Sequence, residues 1–133
     1  MPLRSGSKSI GSQNVAKAAA NLVWKSPTIG AGATDITEQL DCPGLPKLTW
    51  ICLQTAGAGS LTVQPQIALR RLNPVGGNPA ALEFLSVGVP TLLPVGGNAV
   101  VFEFNIAAEA MRMTVTTPGG TTGVATIAMS ATG

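Results

Sequence analysis

A pentapeptide occurs twice in this chain, as Pro74-Val75-Gly76-Gly77-Asn78 and as Pro94-Val95-Gly96-Gly97-Asn98. The copies lie twenty residues apart, and each is followed by an apolar run ending in Leu82-Glu83-Phe84 or Phe102-Glu103-Phe104. Proline presets φ for entry into a turn and Gly-Gly-Asn tolerates φ > 0, so each copy reads as a tight reversal before the chain re-enters a sheet. Only short strands fit between such reversals, and the unit they bracket reads as a β-meander. Similar punctuation recurs along the whole chain, at Ser26-Pro27, Gly30-Ala31-Gly32, Cys42-Pro43-Gly44, Gly57-Ala58-Gly59 and Pro118-Gly119-Gly120.

Between the turns the apolar residues alternate with period two. Leu61, Val63, Pro65, Ile67 and Leu69 face one way, with Thr62, Gln64, Gln66, Ala68 and Arg70 opposite them. Pro65 cannot donate to a ladder and marks an edge strand or a bulge. Leu48-Thr49-Trp50-Ile51-Cys52-Leu53 is nearly continuous in apolar residues and reads as a central strand. Residues 20–25, 34–41, 81–87 and 99–106 read as further strands, with a short one at Thr91-Leu92-Leu93. Val100, Phe102, Phe104 and Ile106 are placed inward, and Glu103 and Asn105 outward. Met111 to Thr116 and Val124 to Ala131 alternate around Pro118-Gly119-Gly120 and predict a closing hairpin. Turn signals every eight to twelve residues and almost no helical period predict an all-β chain. The predicted fold is an antiparallel β-sandwich, jelly-roll-like, with an extended N-terminal arm. Residues 1–19 form the flexible basic arm and 20–133 a single domain.

The chain has 133 residues, enough for one domain with a core of its own. Charged residues make up 11% of it, well below the roughly 25% of ordinary soluble domains. A surface so poor in charge repels partners weakly and favours association. The charges are also unevenly placed. Residues 1–25 carry Arg4, Lys8, Lys17 and Lys25 with no acid, a net +4, and the remainder carries −2. Such an arm suits docking on a neighbour or another acidic surface, although four charges in that length also fit a solvated tail. Arg70-Arg71 reads as a solvated pair at a strand end, or as an interface pair meeting a neighbour's carboxylates.

Little in the sequence offers chemistry. There is no histidine and no tyrosine, so the usual general acids, bases and metal ligands are scarce, and no enzyme is expected. Glu83 and Glu103 hold equivalent places in the two repeats and are the one carboxylate pair an enzyme of the glycosidase kind would use; turned outward by the pleat, they read as subunit contacts. Asp35, Glu38 and Asp41 lack the spacing of a calcium loop and read as a solvated face. Cys42 and Cys52 are too few for a disulfide framework and are expected to be free and buried, while Met111, Met113 and Met129 fill the core. The Gly-Ala-Gly turns precede strands rather than helices and are not phosphate loops. No cofactor, metal site or specific nucleic-acid site is expected. Met1 to Gly11 has no apolar h-region, so the expectation is synthesis in the cytoplasm without a signal peptide, and prolines, glycines and glutamates break up residues 80–106 as a membrane span.

The Gly/Ser-rich arm, the Gly-Gly-Asn and Pro-Gly-Gly-Thr-Thr turns and the Met111 to Thr117 and Ala125 to Met129 strands together resemble the small virion structural proteins of tailed bacteriophages, capsid cement or decoration proteins above all. The resemblance implies a homo-oligomer, often a trimer, on the outer capsid surface where major capsid proteins meet, with the arm reaching across neighbours. It carries no residue roles. A carbohydrate- or cell-surface-binding β-sandwich is the rival, and it requires exposed aromatic side chains.

Overall fold

The computed structural model describes residues 19–69 and 83–133. Their elements are all strands: β1 (Ala19–Lys25), β2 (Thr34–Ile36), β3 (Leu40–Gly57), β4 (Thr62–Leu69), β5 (Glu83–Ser86), β6 (Thr91–Leu92), β7 (Val100–Thr116) and β8 (Gly123–Thr132). Every pairing is antiparallel, in the order β1-β8-β3-β7-β4-β5, with β2 added on β7 and β6 on β4. The first copy of the doubled pentapeptide, the arm up to residue 18, and Arg70 and Arg71 lie outside the described residues.

The long strand β7 turns this single sheet into a sandwich-like fold. Its first part, Val100 to Asn105, pairs with Cys52 to Lys47 of β3. Its last part pairs with β4 along Ala110 to Thr116 on one side, and with Leu40, Asp41 and then β2 on the other. Between the two parts the β3 ladder slips register twice, from Asp41 to Lys47, around Gly44 at φ 77°. Such bulges bend a strand and sharpen its twist. One layer is therefore β1-β8-β3-β7, and the other is β2-β7-β4 with β5 and β6.

Two expected strands, 99–106 and 111–116, are thus one. The residues joining them are Ala107-Ala108-Glu109-Ala110, and Ala108 and Ala110 are buried at the bend, where small side chains let the layers approach without ending the strand. The Cys42-Pro43-Gly44 signal is likewise a bulge inside β3 and not the end of a segment.

The inner faces meet in one core. Leu48, Trp50, Ile127 and Met129 from one layer pack with Val63 and Met113 from the other, all essentially inaccessible to solvent. Trp50 spans the two layers: its Nε1 donates to the Arg112 carbonyl at 3.0 Å, and its ring meets Phe104 edge-on, with centroids 5.8 Å apart. Thr37 is buried beside them. Its hydroxyl accepts from the Met113 amide at 3.0 Å and donates to the Glu38 carbonyl at 2.9 Å, which satisfies both polar ends.

The expected closing hairpin does not form. β7 and β8 are consecutive, yet β7 pairs with β2, β3 and β4, and β8 pairs with β1 and β3. Both strands bury one alternating face, so they face each other across the core and the Pro118-Gly119-Gly120 turn is an arch between layers. Gly57-Ala58-Gly59 is an arch for the same reason, joining β3 to β4. The meander fails too. β5 and β6 do not pair with each other but lie end to end along one edge of β4, at Gln66–Leu69 and at Thr62–Val63. Pro65 sits at the gap between them. Its carbonyl accepts from the Val87 amide at 2.9 Å on that side, so the N–H it lacks falls where the edge is broken.

The arch after β3 is clamped by Gln54, a buried polar residue. Its Oε1 accepts from the Leu61 amide at 2.9 Å and its Nε2 donates to the Gly59 carbonyl at 2.8 Å. Both cysteines are free and buried, as expected. Burial, helped by Asp41 and Glu109, pushes the Cys42 thiol up to about 11, and burial alone pushes Cys52 up to about 12. At pH 8 a thiol reagent is expected to label the native protein roughly a hundredfold more slowly than the urea-unfolded chain, because only thiolate reacts. Comparable rates in the two states would contradict the burial of both. The thiols' contribution to stability is full below their unfolded value near 8.5 and is lost as pH climbs through about 11 to 12.

Candidate interaction surface

The two layers present unlike outer faces. On the β2-β7-β4 layer the outward residues include Thr62, Gln64, Gln66, Arg112, Thr114 and Thr116, all half-buried, with Ile36 of β2 and Leu92 of β6 more exposed beside them. Arg112 Nε donates to Gln66 Oε1 at 2.8 Å, and its guanidinium lies 3.8 Å above the Phe84 ring. Thr34 and Thr116 join their hydroxyls at 2.8 Å. Polar side chains already paired in this way gain little from docking.

The other face carries an apolar row. Register places Val23 of β1 opposite Ala128 of β8, Ala128 opposite Ile51 of β3, and Ile51 opposite Val101 of β7. Val23, Ile51 and Val101 are 61%, 44% and 53% exposed. The row crosses four strands, a width of roughly 14 Å at the ordinary strand spacing. A polar row, Asn21, Ser130, Thr49 and Glu103, flanks it on one side, and Lys25, Thr126 and half-buried Leu53 flank it on the other. An exposed apolar row bordered by polar side chains on a sheet face is the anatomy of a protein contact.

Of the residues singled out from sequence, Lys25 and Glu103 are exposed on this face, Lys25 at the end of β1 and Glu103 on β7. Glu83 is exposed at the start of β5, in the opposite layer. The repeat therefore does not bring Glu83 and Glu103 together on one sheet face, because β5 pairs with β4 whereas this part of β7 pairs with β3. Arg4, Lys8, Lys17, Arg70 and Arg71 lie outside the described residues. Among the described residues no group of three His, Cys, Asp or Glu side chains is placed to hold a metal ion, and no helix is long and apolar enough to cross a membrane. An open groove of about 330 Å³ at the arch end is lined by Leu53, Gln54, Gly57, Val95 and Gly97 among others, none of them titratable. A second, of about 320 Å³, lies by Lys47, Thr49, Glu103 and Asn105.

Val23, Ile51 and Val101 were not singled out in the sequence. Each is one apolar residue among alternating neighbours, and only the strand register lines them up.

No protein-family model matches the chain, and no curated protein matches it. Among solved structures it is similar to FLHE, at 11% identity and a TM-score of 0.43, over 86% of this chain and 96% of that one. It is also similar to a chain of infectious bursal disease virus, Gx strain, at 11% identity and a TM-score of 0.47. That match covers 86% of this chain and 32% of the viral one, so this chain spans about a third of its length. A third likeness is to Bacillus endospore appendages, described as disulfide-linked pili, at 15% identity and a TM-score of 0.39, with 86% of each chain covered. Likenesses this slight carry no function, and the reading below rests on the chain's own surface.

Proposed function

We propose that this chain is a structural, non-enzymatic virion protein of the capsid cement or decoration kind. It lies with the outer face of β1-β8-β3-β7 against the major capsid protein or another protein of the shell, and it stabilises that shell as a homo-oligomer. The observation that carries the reading is the apolar row of exposed Val23, Ile51 and Val101 with Ala128 between them on one sheet face, in a chain with only 11% charged residues. The basic arm, through Arg4, Lys8 and Lys17, adds extended contacts to acidic surface nearby.

The rival, a glycan-binding sandwich, is not favoured. Trp50 is fully buried, and Trp24, Phe84, Phe102 and Phe104, the chain's other aromatic residues, are half-buried against the body. Stacking on sugars needs an open ring face.

The test is attachment. Purified particles of the virus that carries the gene, stripped of this protein, are mixed with wild-type or Ile51→Asp protein and sedimented. The wild type is expected to co-sediment and Ile51→Asp to bind at least about tenfold more weakly, since a charge is then buried in the apolar centre, with an unchanged circular dichroism spectrum. Wild-type protein left in the supernatant, or binding as a monomer on a glycan array, would overturn the reading.

A further inference from the structure

β3 runs on beyond its ladder with β7. Their pairing ends at Cys52–Val100, whereas β8 stays beside β3 as far as Gly57. On the side that β7 leaves, the neighbour among the described residues is the second copy of the pentapeptide: Val95, Gly96 and Gly97 line the open groove of about 330 Å³ together with Leu53 to Gly57. Glycine keeps that wall low. Gly96 and Gly97 hold φ of 109° and 96°, and a Cβ on either would meet nothing within 4 Å. The polar side chains of the wall are already engaged. Gln54 bonds to the Leu61 amide and the Gly59 carbonyl, and the Thr55 hydroxyl donates to the Val124 carbonyl at 3.4 Å. Val95 stands 51% exposed among them.

The groove adjoins the apolar row. Ile51, Leu53 and Thr55 follow at two-residue steps along the outer side of β3, so Leu53 borders the row and lines the groove at once. The row by itself is small. Roughly 14 Å of width at one side chain per strand falls well short of the ~800 Å² that a standard interface buries on each partner. Interfaces also draw most of their energy from a few bulky side chains seated in pockets, with aromatic residues foremost.

We propose that this groove seats an aromatic side chain projecting from the shell protein that lies against the apolar row. This rests on the reading of the row as the attachment face and names what the partner brings to it. Chemistry favours a neutral ring. No residue of the groove is titratable, so a charged side chain entering it would leave water without gaining a partner. The walls suit a ring in shape as well: the bare peptide planes of Gly96 and Gly97 form part of them, and Leu53 and Val95 supply apolar contact. The volume lies at the lower end of the roughly 300–1,000 Å³ typical of pockets that hold small molecules, enough for a single large side chain.

Co-sedimentation of Val95→Trp and Val95→Asp with the stripped particles, beside the wild type and Ile51→Asp, tests the seated ring. Val95 is exposed on the turn and outside every strand, so both variants are expected to keep the wild-type circular dichroism spectrum. Val95→Trp fills the groove with the chain's own ring and is expected to weaken attachment at least about tenfold. Val95→Asp is expected to do the same by setting a charge where the partner's ring lies. The tryptophan variant separates insertion from simple contact, because added apolar area on a face that only touches its partner strengthens binding. Either Val95 variant attaching as well as the wild type, while Ile51→Asp does not, overturns the seated ring and leaves the attachment face standing. Wild-type protein left in the supernatant, or Ile51→Asp bound as tightly as the wild type, overturns the attachment face itself and the seated ring with it.

Discussion

Trp50→Ala is expected to lower unfolding stability by about 3–5 kcal/mol, the largest effect of any single substitution in the core. The indole is fully buried, and its hydrogen bond reaches from the inner face of β3 to the backbone of β7 in the opposite layer. Truncation opens a cavity between the layers and removes the edge-on contact with Phe104. It also leaves the Arg112 carbonyl without its 3.0 Å donor. Trp50→Phe separates these terms. A ring remains, the donor is lost, and the expected cost falls to about 1–3 kcal/mol. Urea unfolding reads both as a lower midpoint at constant slope. A loss below about 1 kcal/mol for Trp50→Ala would mean that the two layers are not held together through this residue.

Gly57→Ala is expected to be nearly as damaging, and for a different reason. Gly57 sits at φ 115°, and a Cβ there would lie 2.5 Å from the Thr122 carbonyl oxygen and 2.9 Å from the Gly123 Cα. Both are backbone atoms of the neighbouring arch, which cannot rotate away as a side chain would. It would also crowd Gln54 Nε2 at 3.2 Å, the group that clamps the arch to Gly59. Backbone strain and overpacking each cost about 1–3 kcal/mol, so a combined loss of roughly 3 kcal/mol or more is expected. Gly96→Ala is the control. Gly96 has a similar φ of 109° but nothing near its Cβ, so it bears only the strain, about 1–2 kcal/mol. Thermal unfolding of the two variants side by side checks the difference, and equal losses would show that backbone conformation alone matters at Gly57.

The strand alternation in the sequence told which way side chains point, and it did so well. Leu61 to Ile67, Met111 to Val115 and Ala125 to Met129 are inward as read, Trp50 is core, and Glu103 is outward. Period two says nothing about which edge a strand meets. For that reason Met111–Thr116 and Val124–Ala131 look like a hairpin in sequence and form an arch in the fold, with their apolar faces opposed across the core instead of side by side. The doubled pentapeptide misled in the same way. It marked positive φ correctly at Gly96 and Gly97, but the segment it begins in the second copy joins β3, far from the strand that Glu83 joins. The apolar row was hidden for a related reason. Val23, Ile51 and Val101 belong to three strands distant in sequence, and only the ladders bring them into line.

The pairing of β1 with β8 has a consequence for how the protein is made. The layer that carries the apolar row needs β8 between β1 and β3, with Ala19 paired to Thr132 and Lys47 paired to Thr132 as well. β8 is the last strand of this layer to leave the ribosome. Until then β1 has no partner and one side of β3 is bare, so this layer closes only once β8 has emerged. A product cut short before β8 therefore has no β1-β8-β3 layer and cannot align Val23, Ala128 and Ile51.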